Sequence, residues 1–404
     1  MRPFSSRSAI EAHDPLEAGS DGERLVSLFA TLRVSRAHDF DLTETNPTRD
    51  GLHAARRALP PLSQVDPSLY EPSPAGAPSA RAAVSRYYAE RGLEVAPERV
   101  VLTASTSEAY AWLFKLLCDP GDEVLIPSPS YPLFQCLAAL EAVRLVPYPL
   151  LRDEDFRVDV DAIARLAGPR ARAIIVVSPN NPTGTVLLEE DAARLEELAS
   201  ERGLSIIADE VFGDYVRAEP ATLRGSFAGA RRGRVFVLSG LSKVLCAPQL
   251  KLGWIALAGQ ADELDRTRDR LELVADTFLS VATPVQLALG ALLDARAVIQ
   301  AELRERIRTN LEAVDRAARE LDPAGLTRFS SGHGGWTGLF EIPRLHEEDA
   351  WVRLFAERAR VLVHPGWFYE LQGGRTFVVS LIVEPRAFEL GVRALLDLVR
   401  SECS

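Results

Sequence analysis

Four cysteines in 404 residues, Cys118, Cys136, Cys246 and Cys403, are too few and too far apart for a disulfide framework or a metal-binding cluster. The six histidines are just as scattered, so no metal is expected. Positive charge is in deficit: 46 lysines and arginines face 57 acidic residues, for a net charge of −11. A polyanion would be repelled, which argues against a general nucleic-acid binder and still permits a local pocket for a small phosphate. No stretch approaches the roughly 18 uninterrupted apolar residues of a membrane span. Residues 1–22 turn acidic and lack the apolar core of a signal peptide. They read as an N-terminal arm, and the protein as cytoplasmic. Internal repeats and low-complexity linkers are absent too.

What remains is an ordinary globular composition, 47% apolar and 25% charged, with a regular texture. Short apolar runs recur at RVVLTA (99–104), EVLIPS (123–128), VRLVPY (143–148), ARAIIVVS (171–178), LSIIAD (204–209), RVFVLS (234–239) and GWIALA (253–258). Several are nearly unbroken Val, Ile and Leu, as strands buried on both faces require. Helical patterns lie between them, among them 107–117 and 189–203. The alternation predicts an α/β fold whose large domain, 45–285, holds a mostly parallel seven-stranded sheet between helices. Beyond Pro284 the texture changes. A long charged helix, 297–321, leads to predicted strands at 336–342, 361–364 and 376–383 and helices at 347–359 and 385–402. These make a smaller α+β domain from residues 286–404 together with 1–44.

Four features fall just past predicted strands, where open α/β sheets place ligands. SGLSK (239–243) puts Lys243 where burial would lower its pKa, as an imine-forming amine needs. ADEVF (208–212) puts Asp209 at a strand end, as a cap or as the partner of a protonated pyridine nitrogen. SPNNPTG (178–184) is turn chemistry with two adjacent asparagines. TASTSEAY (103–110) starts a helix, with Ser105 and Glu108 spaced as a capping box and the helix start open to a phosphate. Taken singly, each feature has an ordinary structural reading.

Together, in this order, they resemble the class I/II aminotransferase family of fold-type-I pyridoxal-phosphate-dependent enzymes, from about Asp41 to the C-terminus. The resemblance implies pyridoxal 5′-phosphate as cofactor, held by Lys243 as a Schiff base. By the same resemblance Asp209 faces the ring nitrogen, Asn181 meets the 3-oxygen and Tyr131 stacks on the ring. Ser105, Thr106, Ser107 and Lys251 would surround the phosphate. Tyr70, in YEPSPAG (70–76), would reach that phosphate from a neighbouring subunit, so a homodimer with a shared site is expected. The resemblance implies Lys243 and Asp209 as the catalytic pair.

Four positions depart from the family pattern. Lys251 stands where an arginine is usual, and Gly240 where a serine or threonine is usual, which weakens the phosphate site. Phe212 replaces a common tyrosine, leaving Asn181 to bond the cofactor oxygen unless Tyr215 substitutes. Val378 occupies the place of the arginine that grips a substrate carboxylate. Arg33, Arg36, Arg49, Arg375 and Arg386 are replacements by location only, and strand alternation turns Arg375 away. The implied reaction moves an amino group from an amino donor to a keto or aldehyde acceptor. A lyase, decarboxylase or cyclase on the same fold is the alternative.

Overall fold

The computed structural model describes residues 38–404 apart from 50, 53–55, 57–58, 218–221, 372 and 374. The N-terminal arm, Arg33 and Arg36 lie outside the described residues. A two-residue strand, β1 (Phe40–Asp41), comes first. Eight strands then build one sheet: β2 (Val100–Thr103), β3 (Glu123–Ser128), β4 (Arg144–Leu151), β5 (Arg157–Val158), β6 (Ala171–Val177), β7 (Ser205–Asp209), β8 (Arg234–Gly240) and β9 (Gly253–Gly259). Their order across the sheet is β2-β9-β8-β7-β6-β3-β4-β5. The run from β8 to β4 is parallel, β9 opposes both its neighbours, and β5 is antiparallel at the far edge. The expectation of seven strands is therefore short by one. At two residues, β5 is too brief to leave a periodic signal.

The parallel centre forms because its strands have no polar face to show to water. Every residue of β7 is buried. Successive isoleucines serve opposite sides: Ile174 and Ile206 enter one core, Ile175 and Ile207 the other. Each such burial stabilises the fold by about 1.5–3 kcal/mol. Helices cover both faces. Thr106–Leu117 and Ala261–Asp276 pack on the second core through Trp112, Leu113, Leu264 and Leu271. Pro78–Ala89, Glu189–Arg202 and Thr283–Asp294 pack on the first.

The smaller unit contains β10 (Arg328–Ser330), β11 (Thr337–Glu341), β12 (Val361–Leu362), β13 (His364–Pro365) and β14 (Thr376–Ser380). Four of these form an antiparallel sheet ordered β10-β11-β14-β13, while β12 pairs in parallel with β1. The predicted strand 361–364 is thus two strands, split at Val363 and belonging to different sheets. The one predicted over 376–383 stops at Ser380. There Asn310 Nδ2 donates to the carbonyls of Leu381 and Val383 at 2.9 and 2.8 Å, drawing the chain off the ladder. The long helix Arg296–Leu321 carries Asn310 and packs against the last helix, Pro385–Cys403. Among the described residues no helix is long and apolar enough to cross a membrane.

The parallel strands β3, β6, β7 and β8 all end on one edge. The loop entering β9 meets them there, because Gly253 pairs with both Gly240 and Thr103. The cleft described next opens at that edge.

Candidate active site

Loops after β2, β3, β6, β7 and β8 converge on a cleft of about 340 Å³, closed from the other side by Trp336, Thr337 and Tyr369. Eight of the nine positions singled out from sequence border it: Ser105, Thr106, Ser107, Tyr131, Asn181, Asp209, Lys243 and Lys251. Tyr70 does not. It is 68% exposed and lines a separate depression beside Leu279.

Lys243 leaves β8 through Gly240 into the short helix Leu241–Val244. A Cβ on Gly240 would stand 2.9 Å from Gly253 Cα and 3.0 Å from Leu252 O, so backbone contact fixes the glycine. The hydroxyl expected there is absent, but Ser242 borders the cleft two residues on. Lys243 Nζ stands over two aromatic faces, 4.7 Å from the Trp336 centroid and 5.4 Å from that of Phe212. Burial pushes its pKa down to about 8, and neighbouring Cys246 and Asp209 offset part of the fall.

Asp209 and Glu210 end β7 and are both buried, yet they do different work. Glu210 accepts from Ser226 Oγ and Phe227 N, each at 2.6 Å, and pins a neighbouring loop. Asp209 borders the cleft, accepting from the Tyr110 hydroxyl at 2.9 Å and from Val211 N at 3.2 Å. Burial raises its pKa, and those two hydrogen bonds and the Lys243 charge offset part of the rise. It is the sole carboxylate among the described residues lining the cleft.

The two asparagines divide in the same way. Asn180 Oδ1 accepts from Thr183 Oγ1 at 3.0 Å and its Nδ2 donates to Pro129 O at 3.4 Å, so it shapes the turn. Asn181 borders the cleft, and its buried Oδ1 has no hydrogen-bond partner. The turn is locked to the other unit by glycines. Gly184 and Gly332 both have positive φ, +72° and +55°, and added Cβ atoms would fall 2.2 Å from Ser331 O and 2.4 Å from Gly184 C. Only glycine permits that approach. Arg217 holds the facing loop, donating to Gly335 O at 2.5 Å and Ser331 O at 2.6 Å. The loop SGHGGW (331–336) is what delivers Trp336.

At the helix start Ser105 Oγ accepts from Glu108 N at 3.2 Å, as a cap should. Glu108 Oε2 reaches back to Ala104 N at 2.6 Å, one residue earlier than a standard capping box. The amides of Thr106 and Ser107 have no intrahelical acceptor and lie at the positive helix end, which suits an anion. Tyr110 was missed from sequence. It lies three and four residues beyond Ser107 and Thr106, on the same helical face, and that spacing was the available signal.

Tyr215 does not replace the missing phenol. Its hydroxyl donates to Lys243 O at 2.8 Å, outside the cleft lining, so it braces the lysine backbone instead. None of the proposed substitute arginines that is described lines the cleft either. Arg49 pairs with Glu44 at 2.9 Å and is 68% exposed, Arg375 lies 3.8 Å from Glu341, and Arg386 is exposed.

A family model described as "Aminotransferase class I and II" matches residues 37–378. The chain belongs to this family. It is 33% identical to a probable N-succinyldiaminopimelate aminotransferase of Mycobacterium tuberculosis, covering 73% of this chain and 72% of that one. It is 30% identical to an S-alkyl-thiohydroximate lyase of Arabidopsis thaliana, covering 54% and 48%. The chain spans about half the length of the first curated relatives it matches, 44% to 52%. A solved alanine aminotransferase from Pyrococcus furiosus superposes with a TM-score of 0.83 at 23% identity, covering 98% of this chain and 100% of that one, which establishes the fold. Class I and II aminotransferases depend on pyridoxal 5′-phosphate. The cleft fits that group: an amine held over two aromatic faces, one buried carboxylate, and open amides at a helix start.

Proposed function

We propose that this aminotransferase-family protein moves an amino group from an amino donor to a keto or aldehyde acceptor, with Lys243 as the amine that carries the cofactor. The observation behind this reading is the pairing, in one cleft, of a lysine whose pKa is lowered to about 8 with Asp209, the single carboxylate among the described residues that line it. When bound, pyridoxal phosphate supplies an aldehyde that amines attack and a ring that withdraws electrons from the substrate carbon. Asp209 answers the positive charge of the ring nitrogen, with Tyr110 fixing one carboxylate oxygen. Asn181 offers its amide to the ring oxygen. Ser105, Thr106, Ser107, Ser242 and Lys251 surround the phosphate, and Tyr131 covers the ring. Lys243, once released, takes a proton and returns it at a neighbouring atom. A pKa near neutrality suits both directions of that transfer.

Two expectations follow from these assignments. Neutral Lys243 rises from about a tenth to about nine tenths of the population between pH 7 and pH 9 if its pKa is about 8. Capture of pyridoxal phosphate by the apo protein should therefore quicken about tenfold over that range and then level off in stopped-flow absorbance. A rate still climbing beyond pH 10 would contradict the lowered value. Lys251→Arg should tighten cofactor binding by about three- to tenfold, because a planar fork replaces a point charge. Equilibrium titration of the apo protein checks this, and an unchanged or weaker constant would count against the placement.

The active form is a homodimer in this reading. Tyr70 and Leu69 are 68% and 65% exposed, with Phe278 and Leu279 exposed as well, an apolar patch of the kind that partners cover. If Tyr70 serves the neighbouring subunit's phosphate, Tyr70→Ala mixed with Lys243→Ala should regain activity that neither variant shows alone. Residues 1–44 with 286–404 as a smaller domain beside 45–285 is supported by the β1–β12 pairing.

A second reading, elimination or a related reaction on the same fold, is favoured by Val378 and by the plant lyase among the relatives. One half-reaction separates the two. Mixed with an amino donor alone, the holoenzyme should end with its cofactor in the amine form. Return of the aldehyde form with release of a cleaved product would replace the proposal by the lyase reading.

A further inference from the structure

We infer that the cleft takes as its amino donor a primary amine with an apolar body and no carboxylate beside the reacting carbon. This rests on the transamination reading above and narrows it to a substrate class. Val378 is 1% exposed at the middle of β14, facing Leu339 and His364 across the ladder. Nothing cationic extends from that position. Lys243 and Lys251 are the two cations among the described residues that line the cleft, and both already have work at the cofactor.

Three arginines in or against the smaller unit are engaged elsewhere. Arg152 donates to Glu341 Oε1 at 2.7 Å and to Thr376 Oγ1 at 2.6 Å. Arg375 lies against the same glutamate, and Arg217 is tied to loop carbonyls.

The remaining walls are apolar or neutral. Leu133, Phe134 and Leu137 come from the helix Leu133–Leu140, and Tyr131, Phe212 and Trp336 supply aromatic faces. Toward the smaller unit the polar groups are hydroxyls, Thr45, Thr337 and Tyr369. The Tyr369 hydroxyl meets His364 Nδ1 at 3.2 Å, and His364 is the cross-strand neighbour of Val378. A carboxylate placed here would lose its hydration without gaining a counter-ion, and it would share the cleft with Asp209. An apolar body gains from the same walls.

The exchange balances without a further reactant. A donor R2CH–NH2 leaves as R2C=O, its carbon losing two electrons. Those electrons reduce the aldehyde carbon of the cofactor to CH2–NH2, and the oxygen passes the other way through water. The acceptor, a ketone or aldehyde, then undergoes the reverse.

The test compares matched donors on the holoenzyme in single turnover: 2-phenylethylamine against phenylalanine, and 3-methylbutylamine against leucine. Within each pair the body is constant and only the carboxylate differs. The amines are expected to convert the cofactor at least tenfold faster, read as loss of aldehyde-form absorbance. Amino acids that match or beat their amines overturn the inference and leave transamination standing. In that case Arg33→Ala and Arg36→Ala identify whether the N-terminal segment supplies the cation. Conversion by neither class, with Lys243 still trapped by borohydride in the holoenzyme, overturns the transamination reading and this inference with it.

Discussion

Lys243→Ala is expected to lower turnover by at least about four orders of magnitude, since in the proposed mechanism one substitution removes both the anchoring amine and the proton carrier. The structure makes the loss hard to compensate. Lys251, the other lining lysine, is exposed and follows the turn Pro248–Leu250, whereas Lys243 Nζ stands 4.7 Å above the buried Trp336 ring. Folding should survive, because the helix Leu241–Val244 is held by Leu241 and Val244 in the core and by the Tyr215 hydroxyl on the Lys243 carbonyl. Deleting a buried ammonium also removes a desolvation cost. The melting temperature of the apo variant should therefore stay within a few degrees of the parent. Borohydride reduction and peptide mapping provide the second readout: the parent is labelled at residue 243 and the variant nowhere. A variant retaining more than about one per cent of the activity would show that another amine serves.

Asp209→Ala should cost about 10²–10⁴ in kcat. Removing one partner of a buried ion pair is worth about 3–5 kcal/mol, and each 1.4 kcal/mol is tenfold. Its raised pKa has burial as first cause, so in the free protein this carboxylate is poorly compensated. In the proposed assignment a cationic ring nitrogen would supply the missing counter-charge. The loss should appear in ring protonation, seen by ¹⁵N NMR of labelled cofactor, as well as in rate. Tyr110→Phe removes one hydrogen bond to the same carboxylate and should cost only about tenfold. If Asp209→Ala kept kcat within fivefold of the parent with the ring nitrogen still protonated, the pairing would be wrong.

The features legible in the sequence share one property: their signal is local. Val, Ile and Leu runs gave seven of the eight large-sheet strands, because strands buried on both faces have no polar positions to blur the pattern. Lys243, Asp209 and Asn181 stood at strand ends, and chain direction brings such ends to one edge in a parallel sheet. Features decided by distant contacts were not legible. Whether Tyr215 could serve the cofactor depended on where its hydroxyl pointed, and it points to the Lys243 carbonyl. Gly240 looked like a lost phosphate ligand, but packing against Gly253 and Leu252 demands it. Trp336 entered the site through a backbone-to-backbone lock between Gly184 and Gly332, more than a hundred residues apart in the chain.

The order of strands and helices, the placing of Lys243 and Asp209 at one sheet edge, and the family were therefore set by residues close together along the chain, where side-chain pattern and chain direction suffice. The surroundings of those groups were set by folding alone. How far Lys243 is desolvated, which oxygen of Asp209 meets Tyr110, and how Arg152 and Arg375 meet Glu341 outside the cleft all depend on segments that only the packed sheets bring within a few ångströms. Electrostatics at that range follow three-dimensional distance and burial, and neither is encoded by sequence spacing.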